Sequence, residues 1–191
     1  QLSLFGSSRK VDATTDGTTI ASFKTDGLHR TRTERRSRHT VSLRAMGGNL
    51  RYARSRMHIG LTALAYDFGG QRVDPPPKPY NHYDFRGRSN VDLSLDYMIK
   101  NDRLKLFGET ALSTASGATA TLAALQWTSD FATATLLYRN YSPRYHALFA
   151  SAFSRAARVR NEEGLYLGLA LTPAPGWQFT GHADVFRHPW M

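Results

Sequence analysis

The feature that most constrains this chain is alternation with a period of two, which puts successive side chains on opposite faces of an extended strand. It is clearest at 90–99, where Val91, Leu93, Leu95, Tyr97 and Ile99 alternate with Asn90, Asp92, Ser94 and Asp96. The pattern returns at 165–172, with Leu165, Leu167, Leu169 and Leu171 against Tyr166, Gly168, Ala170 and Thr172. It returns again at 177–188, with Trp177, Phe179, Gly181, Ala183 and Val185 against Gln178, Thr180, His182 and Asp184. A helix cannot keep such partitions on one side. Weaker segments near 1–9, 47–54, 57–68, 104–113, 118–129 and 132–142 bring the expected total to about nine strands.

The connections sort by end. In an up-and-down meander, alternate connections lie on opposite ends of the sheet. The turns at Ser55-Arg56, Lys100-Asn101-Asp102-Arg103, near Asp130 and at Pro173-Ala174-Pro175-Gly176 fall on one end, and all four are short. The other end carries long loops at about 10–46, 69–89 and 143–162, plus a short turn near Ser116-Gly117. Short turns on one side and long loops on the other are the habit of outer-membrane barrels, whose strands are about 9 to 11 residues long. Trp127, Tyr138, Trp177 and Trp190 near strand ends suit a membrane interface.

These signals predict an all-β fold, an antiparallel up-and-down meander of about nine strands forming part of a larger transmembrane β-barrel. An odd count does not close as an ordinary bacterial single-chain barrel. Residues 1–191 are therefore expected to be one barrel segment, incomplete at both ends, with sequence missing upstream. The competing reading is a soluble basic β-domain that binds nucleic acid or glycan, since alternating strands also build sandwiches and soluble barrels.

Cysteine is absent, so disulfides and thiolate metal sites play no part. No run approaches the roughly 18 apolar residues of a spanning helix, and mean hydropathy of -0.44 is compatible with barrel strands. Formal charge is +10, and it is unevenly spread. Nine arginines and one acid, Glu34, lie between Arg30 and Arg56. Guanidinium makes bidentate, charge-assisted contacts with phosphate, so Arg30, Arg32, Arg35, Arg36, Arg38 and Arg44 are candidate anion-binding residues on an exposed loop. Arg155, Arg158 and Arg160 form a second basic group with Arg144, partly offset by Glu162 and Glu163. Tyr141 and Tyr145 can either stack on bases or sugars or anchor the packing of their loop.

Asp92, Asp96, Glu109, His182 and Asp184 fall on polar strand faces. A wet or plugged lumen needs such residues, and lining is the reading preferred over acid-base catalysis. No catalytic, phosphate-loop or zinc motif is present. Asp12 and Asp16, in a Gly- and Thr-rich loop, read as a solvated turn. No cofactor, metal or enzymatic activity is expected.

Several stretches occur in order: Gly27-Leu28-His29-Arg30-Thr31, Gly47-Gly48-Asn49-Leu50, Lys78-Pro79-Tyr80-Asn81 and Leu137-Tyr138-Arg139-Asn140-Tyr141-Ser142. A closing block runs from Asn161-Glu162-Glu163-Gly164-Leu165-Tyr166 to Phe186-Arg187-His188-Pro189-Trp190. Together they resemble large outer-membrane-type proteins of Bacteroidota in which a competence-protein-like helix-hairpin-helix region precedes a long β-rich domain. The resemblance covers the β part alone. It implies the outer membrane of a Gram-negative bacterium, with membrane lipid and glycolipid and the remaining strands of the same barrel as partners. DNA is an implied partner of the helical region, which this chain lacks.

Overall fold

The computed structural model describes residues 1–24 and 26–190; Thr25, inside the expected 10–46 loop, and Met191 lie outside them. In chain order the strands are β1 (Leu2–Val11), β2 (Ala13–Asp16), β3 (Thr19–Phe23), β4 (Val41–Arg54), β5 (Met57–Asp67), β6 (Arg72–Val73), β7 (Ser89–Lys100), β8 (Leu104–Ser113), β9 (Ala118–Thr128), β10 (Ala132–Tyr141), β11 (Glu162–Ala174) and β12 (Trp177–Arg187). One short helix, α1 (Arg32–Arg36), precedes β4.

Nine strands form one sheet in the order β1-β4-β5-β7-β8-β9-β10-β11-β12, and every neighbouring pair is antiparallel. Among the described residues nothing pairs with the outer edge of β1 or β12. The expected final hairpin is present: β11 and β12 pair from Glu163↔Arg187 to Ala174↔Trp177. Its turn is Pro175-Gly176, where proline fixes one φ and Gly176 takes φ +83, a value side chains resist. A bulge between Leu171 and Ala174 shifts the register beside it.

The register also staggers the strands. One pairing row runs Leu2, Leu50, Leu61, Leu95, Thr110, Thr121, Asn140, Glu163, Arg187. Leu50 lies four residues from the turn end of β4, whereas Arg187 lies ten from the turn end of β12. A drift of about one residue per strand, at ~3.3 Å rise and ~4.8 Å spacing, corresponds to a tilt of roughly 35°. Closed barrels require that kind of stagger.

Each strand contributes alternate residues to two unlike faces. On one face Leu4, Met46, Leu50, Ile59, Leu61, Leu93, Leu95, Leu106, Leu125, Leu136, Leu167, Leu169, Phe179 and Val185 are all exposed, Leu167 at 52% and Val185 at 75%. Ala183 shares this face through its register with Leu167. Asp, Glu, Lys and Arg appear on it at the strand ends, as Lys10, Arg44, Arg54, Asp67, Glu163 and Arg187. Arg44 and Arg54 bracket the apolar stretch of β4; roughly 33 Å of strand between them, tilted as above, stands about 27 Å high.

Two details depart from the sequence reading. Arg44 lies within β4 rather than in a loop: Thr40-Val41-Ser42-Leu43 already alternate, and Val41 and Leu43 are buried. The 10–46 region also carries structure of its own. There β2 and β3 pair as a hairpin, and β3 pairs with β6 from the next long connection. This three-stranded sheet shares a buried cluster with the loop end of the large one: Ala13, Ile20, Val41, Leu43, Tyr66, Phe68 and Val73.

Candidate functional site

All five predicted lining residues, Asp92, Asp96, Glu109, His182 and Asp184, lie on the face opposite the apolar one. The structure separates them into four settings. Asp96 lies over Gly60, whose missing side chain leaves the carboxylate its space, and Asp96 Oδ1 is 3.2 Å from His58 Nε2. Glu109 is its direct cross-strand neighbour. His182 stacks on Tyr166, ring centroids 5.8 Å apart.

Asp92 is buried beside Asn90, whose amide nitrogen donates to Asp92 Oδ1 (2.7 Å) and reaches Ser113 Oγ (2.9 Å) and the His146 carbonyl (3.0 Å). Asn90 Oδ1 accepts from the Ala115 N–H (2.9 Å). One amide thus joins β7, β8, the 114–117 turn and the loop between β10 and β11.

Asp184 belongs to a network that sequence reasoning missed, because its centre is Arg139. The Arg139 side chain is 0% exposed, and it meets Glu162 (also 0%) through Nε and Asp184 through both terminal nitrogens, at 2.8 and 3.2 Å. It passes over Gly164, where an added Cβ would come within 2.8 Å of the guanidinium carbon. The signal was an arginine in mid-strand on a polar face, but its partners are 23 and 45 residues away. Glu162 further accepts from Ser154 Oγ (2.9 Å) and from the N–H groups of Arg155 and Ala156. Arg155 Nε then caps Asp184 at 3.0 Å.

These bonds fold the 142–161 loop back across the polar face. Tyr141 donates its hydroxyl to the Phe153 carbonyl (3.0 Å), and Phe153 meets Tyr166 edge-on at 5.0 Å. Farther out, Phe149 contacts Tyr66 of β5 (6.2 Å) and lies under the Arg9 guanidinium of β1 (5.7 Å). The loop therefore reaches from β10–β11 to the far side of the sheet. Beneath it is a cavity of about 590 Å³ lined by Asp96, Phe107, Glu109, Tyr141, Tyr145 and Phe149, among others. Tyr145, one of the two proposed stacking aromatics, is buried, and so is Tyr141. Burial raises the Tyr145 phenol above its ordinary range and pushes the His146 imidazole down to about 4, with Arg160 adding to the latter.

The basic candidates part company here. Arg155 pairs with Asp184, Arg160 with Asp84 at 2.6 Å, and Arg158 lies 4.0 Å from Asp84. In the other loop Arg30, Arg32, Arg36 and Arg38 are exposed with no carboxylate within 4 Å among the described residues. Arg35 donates to the backbone carbonyls of His29 and Arg30. Glu34, the lone acid between Arg30 and Arg56, serves the helix: it accepts from the Thr31 and Arg30 N–H groups in a capping box, which holds its carboxyl below the usual range. Asp12 fixes the base of the loop through the His39 N–H (2.8 Å) and His29 Nε2 (2.6 Å), which lower its carboxyl likewise. No group of three or more His, Asp or Glu suited to a metal ion occurs among the described residues.

No family model, curated protein or solved structure matches this chain. No helix among the described residues is long and apolar enough to cross a membrane, a criterion that does not bear on strands.

Proposed function

We propose that this chain is a segment of an outer-membrane β-barrel, structural or channel-forming, with the 142–161 loop folded into the lumen as a constriction. The observation that carries this reading is the apolar face: nine contiguous strands expose Leu, Ile, Val, Phe and Met outward, with charges confined to the ends. Barrels present an outward band about 25 Å tall, close to the height between Arg44 and Arg54. In water so large an apolar surface would drive aggregation. The opposite face supplies what a wet lumen needs, with its carboxylates, histidines and arginine bonded or turned to the cavity.

Parity supports a larger closure. The first and ninth strands of an all-antiparallel row point the same way, so joining β1 to β12 directly would make a parallel junction. Antiparallel closure requires an odd number of further strands, whose outward residues continue the apolar band. The loop-end arginines that have no carboxylate partner among the described residues suit an anionic polymer, DNA among them, arriving from outside. No reaction is proposed, because the polar residues pair with one another rather than converging on an open reactive point.

The test is a charge placed on each face. Leu167→Arg puts a cation in mid-band, where it costs about 2 to 4 kcal/mol in a barrel, so it should block folding into detergent micelles or vesicles. Thr172→Arg, near the turn end, should assemble. Equal tolerance of both, with a monodisperse protein in the absence of detergent, would establish the soluble basic domain instead.

A further inference from the structure

Resting on the membrane reading, we propose that the loop end of β1 and β4 carries a phosphate site for an anionic lipid headgroup on the outside of the sheet. Register puts Lys10 opposite Ser42 and Ser8 opposite Arg44. All four belong to the apolar-face alternation that continues into Leu4, Met46 and Leu50. They make a block of two cations on one diagonal and two hydroxyls on the other. Diagonal neighbours across antiparallel strands are about 7 to 8 Å apart, a gap that two long side chains close on one phosphate.

Lys10 and Arg44 are exposed and have no carboxylate within 4 Å among the described residues. The acid nearest in register is Asp67, opposite Arg44, and its Oδ1 accepts from the Gly69 N–H at 2.8 Å. Directly below the block the face turns apolar, so a ligand seated here has its charged part at the cations and its body along Leu4 and Met46. That is the shape of a phosphorylated lipid in the leaflet on the loop side. A nucleic acid threading the lumen would meet the opposite face.

More cations stand at the same loop end of the sheet. The segment after α1 is tied to the end of β1 by the Ala13 N–H to Ser37 carbonyl bond (2.9 Å) and the His39 N–H to Asp12 bond (2.8 Å). Arg36 and Arg38 flank Ser37 in this tied segment and have no carboxylate within 4 Å among the described residues. Guanidinium and ammonium groups near a membrane surface each add to the attraction for anionic headgroups.

The experiment uses the complete barrel that carries this segment, first folded into phosphatidylcholine nanodiscs to show membrane entry, then in neutral detergent. A fluorescent bis-phosphorylated glucosamine lipid is titrated in and anisotropy is read. The native chain should bind it, and Lys10→Ser with Arg44→Ser should weaken binding by roughly thirtyfold. Lys10→Arg should retain affinity, as should Arg51→Ser, which removes a charge from the polar face of β4. If the serine pair folds poorly, the Lys10→Arg variant and competition by the unlabelled lipid still decide the matter. Unchanged binding in a folded serine pair overturns the site and leaves the membrane reading standing. Failure of the complete native barrel to enter nanodiscs overturns both. Displacement of the lipid by duplex DNA at physiological salt would assign the patch to nucleic acid and overturn the lipid proposal.

Discussion

The two basic loops use the same residue type for opposite ends. In the 142–161 loop, Arg155 and Arg160 are held by Asp184 and Asp84, and the segment lies folded over the polar face. In the segment around α1, the arginines have no carboxylate within 4 Å among the described residues and remain exposed. The difference lies in the carboxylates, not the arginines. Glu162 and Asp184 sit on neighbouring strands around Arg139 and draw Ser154, Arg155 and Ala156 inward. Near α1, Glu34 is turned to its own backbone and Asp12 to two histidines. A cation with a buried partner anchors a loop; one without is left for something outside the chain.

That contrast breaks first at Arg139. Replacing it with alanine strands Glu162 and Asp184 without their main partner, and leaving a buried charge unpaired costs about 3 to 5 kcal/mol. Arg139→Ala should lower the denaturant midpoint in detergent and expose the 142–161 loop to protease. An unchanged cleavage pattern would mean that the loop is held by its aromatic contacts instead.

The second probe is pH. His146 is pushed to about 4 when its loop is packed, while a free imidazole titrates near 6.5. The open loop thus binds the proton more readily over that window, so closure is fully favoured above about 6.5 and weakens as pH falls toward 4. A fluorophore on Ala150→Cys, in a chain with no other cysteine, should report opening on acidification, and His146→Gln should flatten the response. A response that survives in His146→Gln would point to another titrating group.

The smallest effect on stability is expected in the other loop. Charge reversal at Arg30, Arg36 and Arg38 touches no ion pair, so each change should stay within about 0.5 kcal/mol. It should nevertheless reduce binding of polyanions and flatten its salt dependence. A large loss of stability would show that these arginines are anchors too, and the contrast between the loops would be lost.

Much of the large sheet was legible because its strands carry two unlike faces in the sequence. Leu165 to Leu171 and Val91 to Ile99 announce both strand and register parity, and Pro175-Gly176 announces the turn. The small sheet was not, although Asp16-Gly17 is a hairpin turn signal with Gly17 at φ +57. Its strands are four, five and two residues long, too short for alternation to stand out in a polar stretch. The start of β4 was hidden for a different reason: Arg44 broke an apolar face and read as part of a basic loop. Alternation put Asp92, Asp96, Glu109, His182 and Asp184 on one face, yet did not reveal their grouping, since the register that joins Arg139 to Asp184 spans neighbouring strands and a long loop.

The most direct test of the account is a nitroxide scan along β11. Single cysteines at Leu165, Tyr166, Leu167, Gly168 and Leu169, introduced into a cysteine-free chain and spin-labelled in lipid vesicles, report on collisions with oxygen and with a water-soluble nickel chelate. A period of two is expected, with Leu165, Leu167 and Leu169 exposed to oxygen in the acyl region and Tyr166 and Gly168 shielded from it. Nickel accessibility at the leucine positions equal to that of an aqueous loop would contradict the membrane-facing assignment.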